Sequence, residues 1–296
     1  MTKINNKKGH QNKKENQKKK GCQDRKGHQN KKSQQIGLAL GAGAFRGFAH
    51  LGVIKALQEN NIPINYISGS SIGSLVAAYY ALHGEVDSLT DKFSKYKNDL
   101  FKLPDLNFRD FRDGFNTPSF IKFIKFLFGE ASFSQTKIPL RILATDLTSG
   151  EPFIFSHGSI ATAVRASSSV PIILNLPKGI KAHLVDGALS NPVPIKVLKK
   201  LGAKKIIAVN LYHRNEFKEK NFTLTKIALK SARIALYNLA RNDVKESDVL
   251  INPDTSYFLK YIYPKRYLSQ TVTKQIIDLG YQETNKKRNA LKALLK

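Results

Sequence analysis

A chain of 296 residues with 41% hydrophobic and 24% charged residues holds enough apolar content for one large core or two small ones. Forty-nine Lys and Arg against 22 Asp and Glu give a formal net charge of +27, which favours anionic partners. A single cysteine, Cys22, excludes an internal disulfide framework. No Cys/His spacing suits a structural zinc site, so neither a metal nor another cofactor is expected.

Residues 1–35 stand apart. Their only apolar side chains are Met1, Ile4 and Cys22, and twelve basic residues face two acids, for a net +10. Gly-His-Gln-Asn-Lys-Lys occurs twice, at 9–14 and 27–32. Such a segment cannot bury enough surface to offset its ordering entropy, so it reads as a disordered tail ahead of a folded domain over 36–296. Three origins for it stay open: an anionic-lipid anchor, a solubilising appendage and a misassigned start. Nucleic acid is the weaker partner, because the tail lacks an aromatic residue to stack on bases. The N-terminus has no apolar h-region, so a cytoplasmic protein, peripheral at a membrane at most, is expected.

From residue 36 onward short apolar runs alternate with helical patterns. The first strand is predicted at 36–40. It runs into Gly41-Ala42-Gly43-Ala44-Phe45-Arg46-Gly47, which opens a helix over 46–59. A glycine-rich strand-to-helix loop presents backbone N–H groups to an anion. In an acyl hydrolase that anion is the tetrahedral oxyanion; in a dinucleotide site it is a pyrophosphate. The third glycine comes one position late for the dinucleotide fingerprint, and Asn60-Asn61-Ile62-Pro63 has no ribose-binding acid.

A second strand is predicted at 66–69 and a helix at 72–83. Between them Gly69-Ser70-Ser71-Ile72-Gly73 has the G-x-S-x-G form of a nucleophile elbow, with Ser71 at a helix N-terminus. Residues 60–84 carry no charge, but Pro63, three asparagines and four serines interrupt the run, so it reads as buried strand, elbow and helix.

Helices follow at 86–98 and 118–128. Phenylalanine recurs at 101, 108, 111, 115, 120, 123, 126 and 128. On the 118–128 helix Phe120, Phe123, Ile124 and Leu127 share a face, with Phe126 and Phe128 outside it. That pattern fits either a membrane-facing flap or a helix packed on the body. Strands are predicted at 140–146, 152–155, 183–186 and 205–211, with a late one within 247–254. Helices are predicted at 159–167, 194–201 and 222–245. A terminal helix pair spans 268–294, split near Gly280. The alternation gives an α/β architecture, a mainly parallel central sheet with helices on both faces. Glycine loop, elbow and Asp186-Gly187 then fall beyond the strand ends, where such sheets bind ligands.

The stretch Leu38-Ala39-Leu40-Gly41-Ala42-Gly43-Ala44-Phe45-Arg46-Gly47-Phe48-Ala49-His50-Leu51-Gly52-Val53, the Gly-Ser-Ser-Ile-Gly at 69–73, Ala166-Ser167-Ser168-Ser169-Val170-Pro171 and Asp186-Gly187-Ala188 together resemble the patatin-like phospholipase family, over roughly residues 36–211. Ala42 and Ala44 depart from it, since many members have glycine in that loop. The resemblance implies a three-layer fold, an acyl-lipid substrate, no metal and a Ser–Asp dyad. Ser71 would be the nucleophile and Asp186 its base, with Gly41 to Ala44, Arg46 and Gly47 forming the oxyanion loop and Gly69, Gly73 and Gly187 completing the elbow and acid motifs.

Three alternatives stay open. Asp-Gly is also a hairpin turn signal. His213, the only histidine after Asp186, completes the order Ser71–Asp186–His213 of an α/β-hydrolase triad. A non-catalytic lipid-binding or regulatory protein with a degenerate site is the third.

Overall fold

Seven short strands form one sheet in the computed structural model, which describes residues 35–100, 118–169, 183–218, 224–260, 267 and 269–296. The basic tail over 1–34, the phenylalanines between 101 and 117, and Val170-Pro171 lie outside those residues. The strands are β1 (Ile36–Leu40), β2 (Tyr66–Ser70), β3 (Leu140–Asp146), β4 (Pro152–Phe155), β5 (Leu184–Asp186), β6 (Lys205–Val209) and β7 (Val249–Ile251). Their order is β4-β3-β2-β1-β6-β7, with β5 also paired to β3. The β1–β2, β1–β6, β2–β3 and β6–β7 pairs are parallel, and only β4 and β5 run antiparallel to β3. The predicted mainly parallel sheet is what forms.

Both faces of the central strands are covered, as a near-continuous aliphatic run such as Ile36-Gly-Leu-Ala-Leu40 requires. Side chains alternate across the sheet. On one face Ile36, Leu38, Leu40, Ile207 and Val209 join a large core with α1 (Phe48–Glu59), α2 (Ile72–His83), α3 (Asp87–Leu100), α4 (Pro118–Phe128) and α5 (Ile160–Ser167). On the other, Ala39, Ile206 and Ala208 pack with α6 (Ile195–Leu201) and α7 (Leu224–Asp243). Two C-terminal helices, α8 (Gln270–Lys286) and α9 (Arg288–Ala293), return to the first face.

One expectation changes, and one open pair of readings is decided. The terminal helix is not split at Gly280; α8 runs through it, and the break comes at Lys287. A Cβ on Gly280 would collide with the Ala49 carbonyl of α1, and one on Gly52 with the Ile277 carbonyl of α8. Both glycines let two helix backbones touch, which offsets the roughly 1 kcal/mol that glycine costs inside a helix. The open pair concerns α4. Phe123, Ile124, Leu127 and Phe128 are all buried in the main core, and Phe123 sits against the rings of Phe93 and Tyr96. α4 is therefore a packed helix, with Phe126 its exposed aromatic edge, and the flap reading fails there.

Candidate active site

β2 ends at Ser70, and the chain turns at once into α2. Ser71 sits at that turn with φ 54° and ψ −127°, a conformation side chains rarely adopt. The close packing explains the flanking glycines. A Cβ on Gly69 would strike the Gly73 carbonyl, and one on Gly73 the Leu40 carbonyl at the end of β1. The turn is held from below: Ser74 donates to the Ser71 carbonyl through its N–H (2.9 Å) and its hydroxyl (2.6 Å). Ser71 thus stands at the positive end of a 12-residue helix.

β5 brings the carboxylate. Asp186 pairs opposite Ala144 of β3, and its Oδ2 accepts the Ser71 hydroxyl at 2.7 Å. The other oxygen, Oδ1, accepts the Ala188 N–H at 2.8 Å. Thr145 fixes the main chain there by donating its hydroxyl to the Asp186 carbonyl (2.9 Å). Gly187 has no room for a Cβ, which would meet the Leu143 carbonyl and the Ser70 hydroxyl. Ser71 and Asp186 are 8% and 4% exposed. Burial raises the Asp186 carboxyl to about 6, against the smaller opposing effects of the bonds from Ser71 and Ala188.

The glycine loop divides into committed and open donors. Gly41 N–H bonds the Val209 carbonyl (3.0 Å) and Ala42 N–H the Pro192 carbonyl (2.9 Å). Those two donors anchor the loop and are not available to an oxyanion. For the Gly43 and Ala44 N–H groups no acceptor is found among the described residues. Ala44 takes φ 51°, the left-handed region where glycine is the unstrained choice.

Arg46 is a staple rather than a free cation. Its Nε donates to the Gly43 carbonyl (3.2 Å), and Nη1 donates to the Leu211 carbonyl (2.9 Å) and to Glu216 Oε1 (2.5 Å). The ion pair is almost wholly buried, with the guanidinium 5.4 Å from the Tyr212 ring centre. Gly47 lies against the Ile72 side chain of α2, with no space for a Cβ between them.

Two positioning contacts escaped the sequence reading. Ser167, at the end of α5, accepts the Ser71 N–H (2.9 Å) and donates to the Leu143 carbonyl (2.5 Å), tying elbow to sheet. His50 Nε2 lies 2.8 Å from the Gly41 carbonyl, so it carries the ring proton and donates. Burial lowers His50 to about 4, against the smaller effect of that bond, and keeps the ring neutral. Both residues fall inside the quoted family stretches, and neither has a local spacing signal of its own.

His213 is elsewhere. Its Nδ1 accepts the Asn215 N–H (3.2 Å) and lies 3.5 Å from Asp254 Oδ1. The Asp186 oxygens meet Ser71 and Ala188 with no imidazole between. Among the described residues no group of three or more His, Cys, Asp or Glu could hold a metal ion, and no helix is long and apolar enough to cross a membrane.

A family model described as patatin-like phospholipase matches residues 38–199. A neuropathy target esterase, sws, of Drosophila melanogaster is 35% identical over 185 residues, 60% of this chain and 13% of that protein. An uncharacterized NTE family protein of Mycobacterium tuberculosis is 30% identical over 184 residues, 60% of this chain and 49% of that one. The chain thus spans half or less of the length of these relatives. Among solved structures, VipD from Legionella pneumophila aligns over 87% of this chain and 66% of its own, at 13% identity and a TM-score of 0.44. The family match covers more than half of the residues and takes in the glycine loop, the elbow and Asp186-Gly187: the chain belongs to the patatin-like phospholipase family.

Proposed function

We propose that this protein is a metal-independent lipid acyl hydrolase, cleaving carboxylic esters of phospholipids or related acyl lipids through a Ser71–Asp186 dyad. The observation that carries the reading is the 2.7 Å hydrogen bond from the Ser71 hydroxyl to a buried carboxylate that burial has made more basic. A base is most effective when its pKa nears the working pH, and Asp186 is displaced in that direction.

In the proposed sequence Ser71 Oγ attacks the ester carbonyl carbon as its proton passes to Asp186 Oδ2. The carbonyl oxygen becomes an oxyanion facing the open Gly43 and Ala44 N–H donors. A single such donor is worth roughly 3–4 kcal/mol of barrier. The tetrahedral centre collapses, the C–O bond to the alcohol breaks, and Asp186 returns the proton to the leaving oxygen. An acyl ester of Ser71 remains. Asp186 then takes a proton from water as the water attacks the acyl carbon; the Ser71 C–O bond breaks, and the proton returns to Oγ with release of a fatty acid. The elbow's strain holds Oγ forward, and the α2 dipole favours the negative charge gathering there.

A fluorophosphonate probe tests this directly, since it phosphonylates only an activated serine. Labelling of the parent protein, mapped by mass spectrometry to Ser71 and lost in Ser71→Ala and Asp186→Asn, is the expected result. Labelling that persists in Asp186→Asn, or none in the parent, would overturn the dyad.

A further inference from the structure

Glu216 lies beyond the stretch that the family model matches, in the short turn Arg214–Phe217 that follows β6. Glutamate is almost never fully buried unless it is paired. Here the side chain is 0% exposed, and Oε2 is buried with no partner among the described residues. Oε1 accepts two bonds, from Arg46 Nη1 (2.5 Å) and from the His213 N–H (2.9 Å). A carboxylate taken out of water needs a counter-charge, and Arg46 supplies it.

Arg46 passes that hold to the glycine loop. The peptide plane joining Gly41 to Ala42 is gripped on both sides: its carbonyl accepts from His50 Nε2 (2.8 Å), and its N–H reaches the Pro192 carbonyl (2.9 Å). The plane joining Gly43 to Ala44 is gripped on one. Its carbonyl accepts Arg46 Nε and the Arg46 N–H, both at 3.2 Å, whereas no acceptor is found for its N–H among the described residues. In a trans peptide the C=O and N–H point to opposite sides of one rigid plane, so a hold on the Gly43 carbonyl sets where the Ala44 N–H points. Both 3.2 Å bonds are at the long end of the normal range, so neither fixes the plane alone. The shorter, charge-assisted bond to Glu216 decides where the guanidinium sits, and the Nε bond follows from it.

We infer that Glu216 is a positioning residue for the proposed hydrolysis: through Arg46 and the Gly43 carbonyl it aims the Ala44 N–H at the oxyanion formed beside Ser71. The inference rests on the Ser71–Asp186 reading for its purpose; the relay through the backbone can be read without turnover. An ion pair that served only the fold would change unfolding and leave the rate alone.

Two variants test it. Glu216→Ala removes the carboxylate, and Glu216→Gln keeps an acceptor oxygen without the charge; circular dichroism and the melting temperature check that each is folded. With a soluble ester, kcat should fall about tenfold or more in Glu216→Ala, with KM within about twofold, because a misaimed donor is felt in the transition state rather than in the bound substrate. Glu216→Gln should lose less, about threefold, since a neutral acceptor replaces a charged one; it carries the test if Glu216→Ala does not fold. Arg46→Met combined with Glu216→Gln should be no slower than Arg46→Met alone, because a residue that acts through Arg46 then has nothing to act on. The Ala44 amide resonance, read in isotope-labelled protein carrying Ser71→Ala, should shift in both Glu216 variants. Parental kcat in the folded variants, additive losses in the double variant, or an unmoved Ala44 amide would each overturn the inference. A parent that neither hydrolyses esters nor reacts with a fluorophosphonate, but whose Ala44 amide shifts in the Glu216 variants, would sink the dyad and leave the relay standing, so the two proposals fail separately.

Discussion

Ser71 and Asp186 meet because Ser70, the residue before the serine, and Asp186 occupy consecutive positions in one lane of the sheet. β2 pairs with β3 as far as Ser70 opposite Leu143 and then turns away into α2. β5 enters the vacated lane from the opposite direction and sets Asp186 opposite Ala144, the next residue along. β4 fills the other side of β3 at the same level. The carboxylate is thereby delivered to the serine by strand register, which fixes a separation more tightly than a loop would.

The carboxyl environment predicts opposite effects on rate and on stability. Asp186 accepts a proton only when ionised, and burial raises it from 3.8 to about 6. Hydrolysis of a soluble ester should therefore rise with pH to half its plateau near 6. The sign for stability is reversed. Between 3.8 and about 6 the folded protein keeps a proton that the unfolded chain releases, so this group's contribution falls as pH rises through that window. Asp186→Asn should abolish hydrolysis yet stabilise the fold at neutral pH by up to about 3 kcal/mol. The gain should vanish near pH 4. Denaturant titrations of parent and variant at both pH values measure it, and a variant less stable than its parent at neutral pH would contradict the buried ionised acid.

Removing the imidazole at 213 separates dyad from triad. His213 is engaged with Asn215 and Asp254, away from the Asp186 carboxylate. His213→Ala should keep ester hydrolysis within about threefold of the parent, whereas loss of a triad histidine costs up to about 10⁶-fold. Steady-state kcat decides between them, since the two expectations differ by several orders of magnitude.

What the chain disclosed beforehand was whatever small residues must do locally. The glycine loop, the elbow and Asp186-Gly187 were legible because a strand that turns sharply into a helix leaves no room for Cβ atoms at 69, 73 and 187. The division of the loop into spent and open donors was not, since it depends on carbonyls at 192 and 209, far along the chain. Gly280 misled for a related reason: a glycine that ends a helix and one that lets two helices touch are the same letter, and only the partner, Ala49, separates them. The stripe on α4 likewise could not say whether core or solvent faced it.

Ser167 is expected to act on the rate through Ser71. Its hydroxyl satisfies two buried main-chain groups, the Ser71 N–H and the Leu143 carbonyl. Ser167→Ala removes both bonds, at about 1–3 kcal/mol for a buried group left unpaired. The strained elbow loses this tie to α5. The variant should unfold at lower denaturant, and at temperatures where it stays folded kcat should fall by about tenfold or more with little change in KM, because misplacing the nucleophile harms the transition state more than the bound substrate. A stability loss without any change in kcat would make Ser167 a packing residue alone.

Ala44 offers a test of the open donors. It is exposed and held at φ 51°, so its methyl makes no core contact while its backbone is strained. Changing alanine to glycine normally costs stability because the unfolded chain gains freedom, by about 0.4–1 kcal/mol. Here relief of the left-handed conformation, worth about 1–2 kcal/mol for an L residue, opposes that cost. Ala44→Gly should therefore be neutral or up to about 1.6 kcal/mol stabilising, with hydrolysis retained because the N–H remains. Ala44→Val, β-branched, should lose at least about 1 kcal/mol and shift the loop away from positive φ. If the Gly43 and Ala44 N–H groups receive the oxyanion, that shift should cost kcat about 10²-fold, as loss of one donor does. Acylation by the fluorophosphonate probe should slow in parallel. A folded Ala44→Val protein with parental kcat would place the oxyanion donors elsewhere.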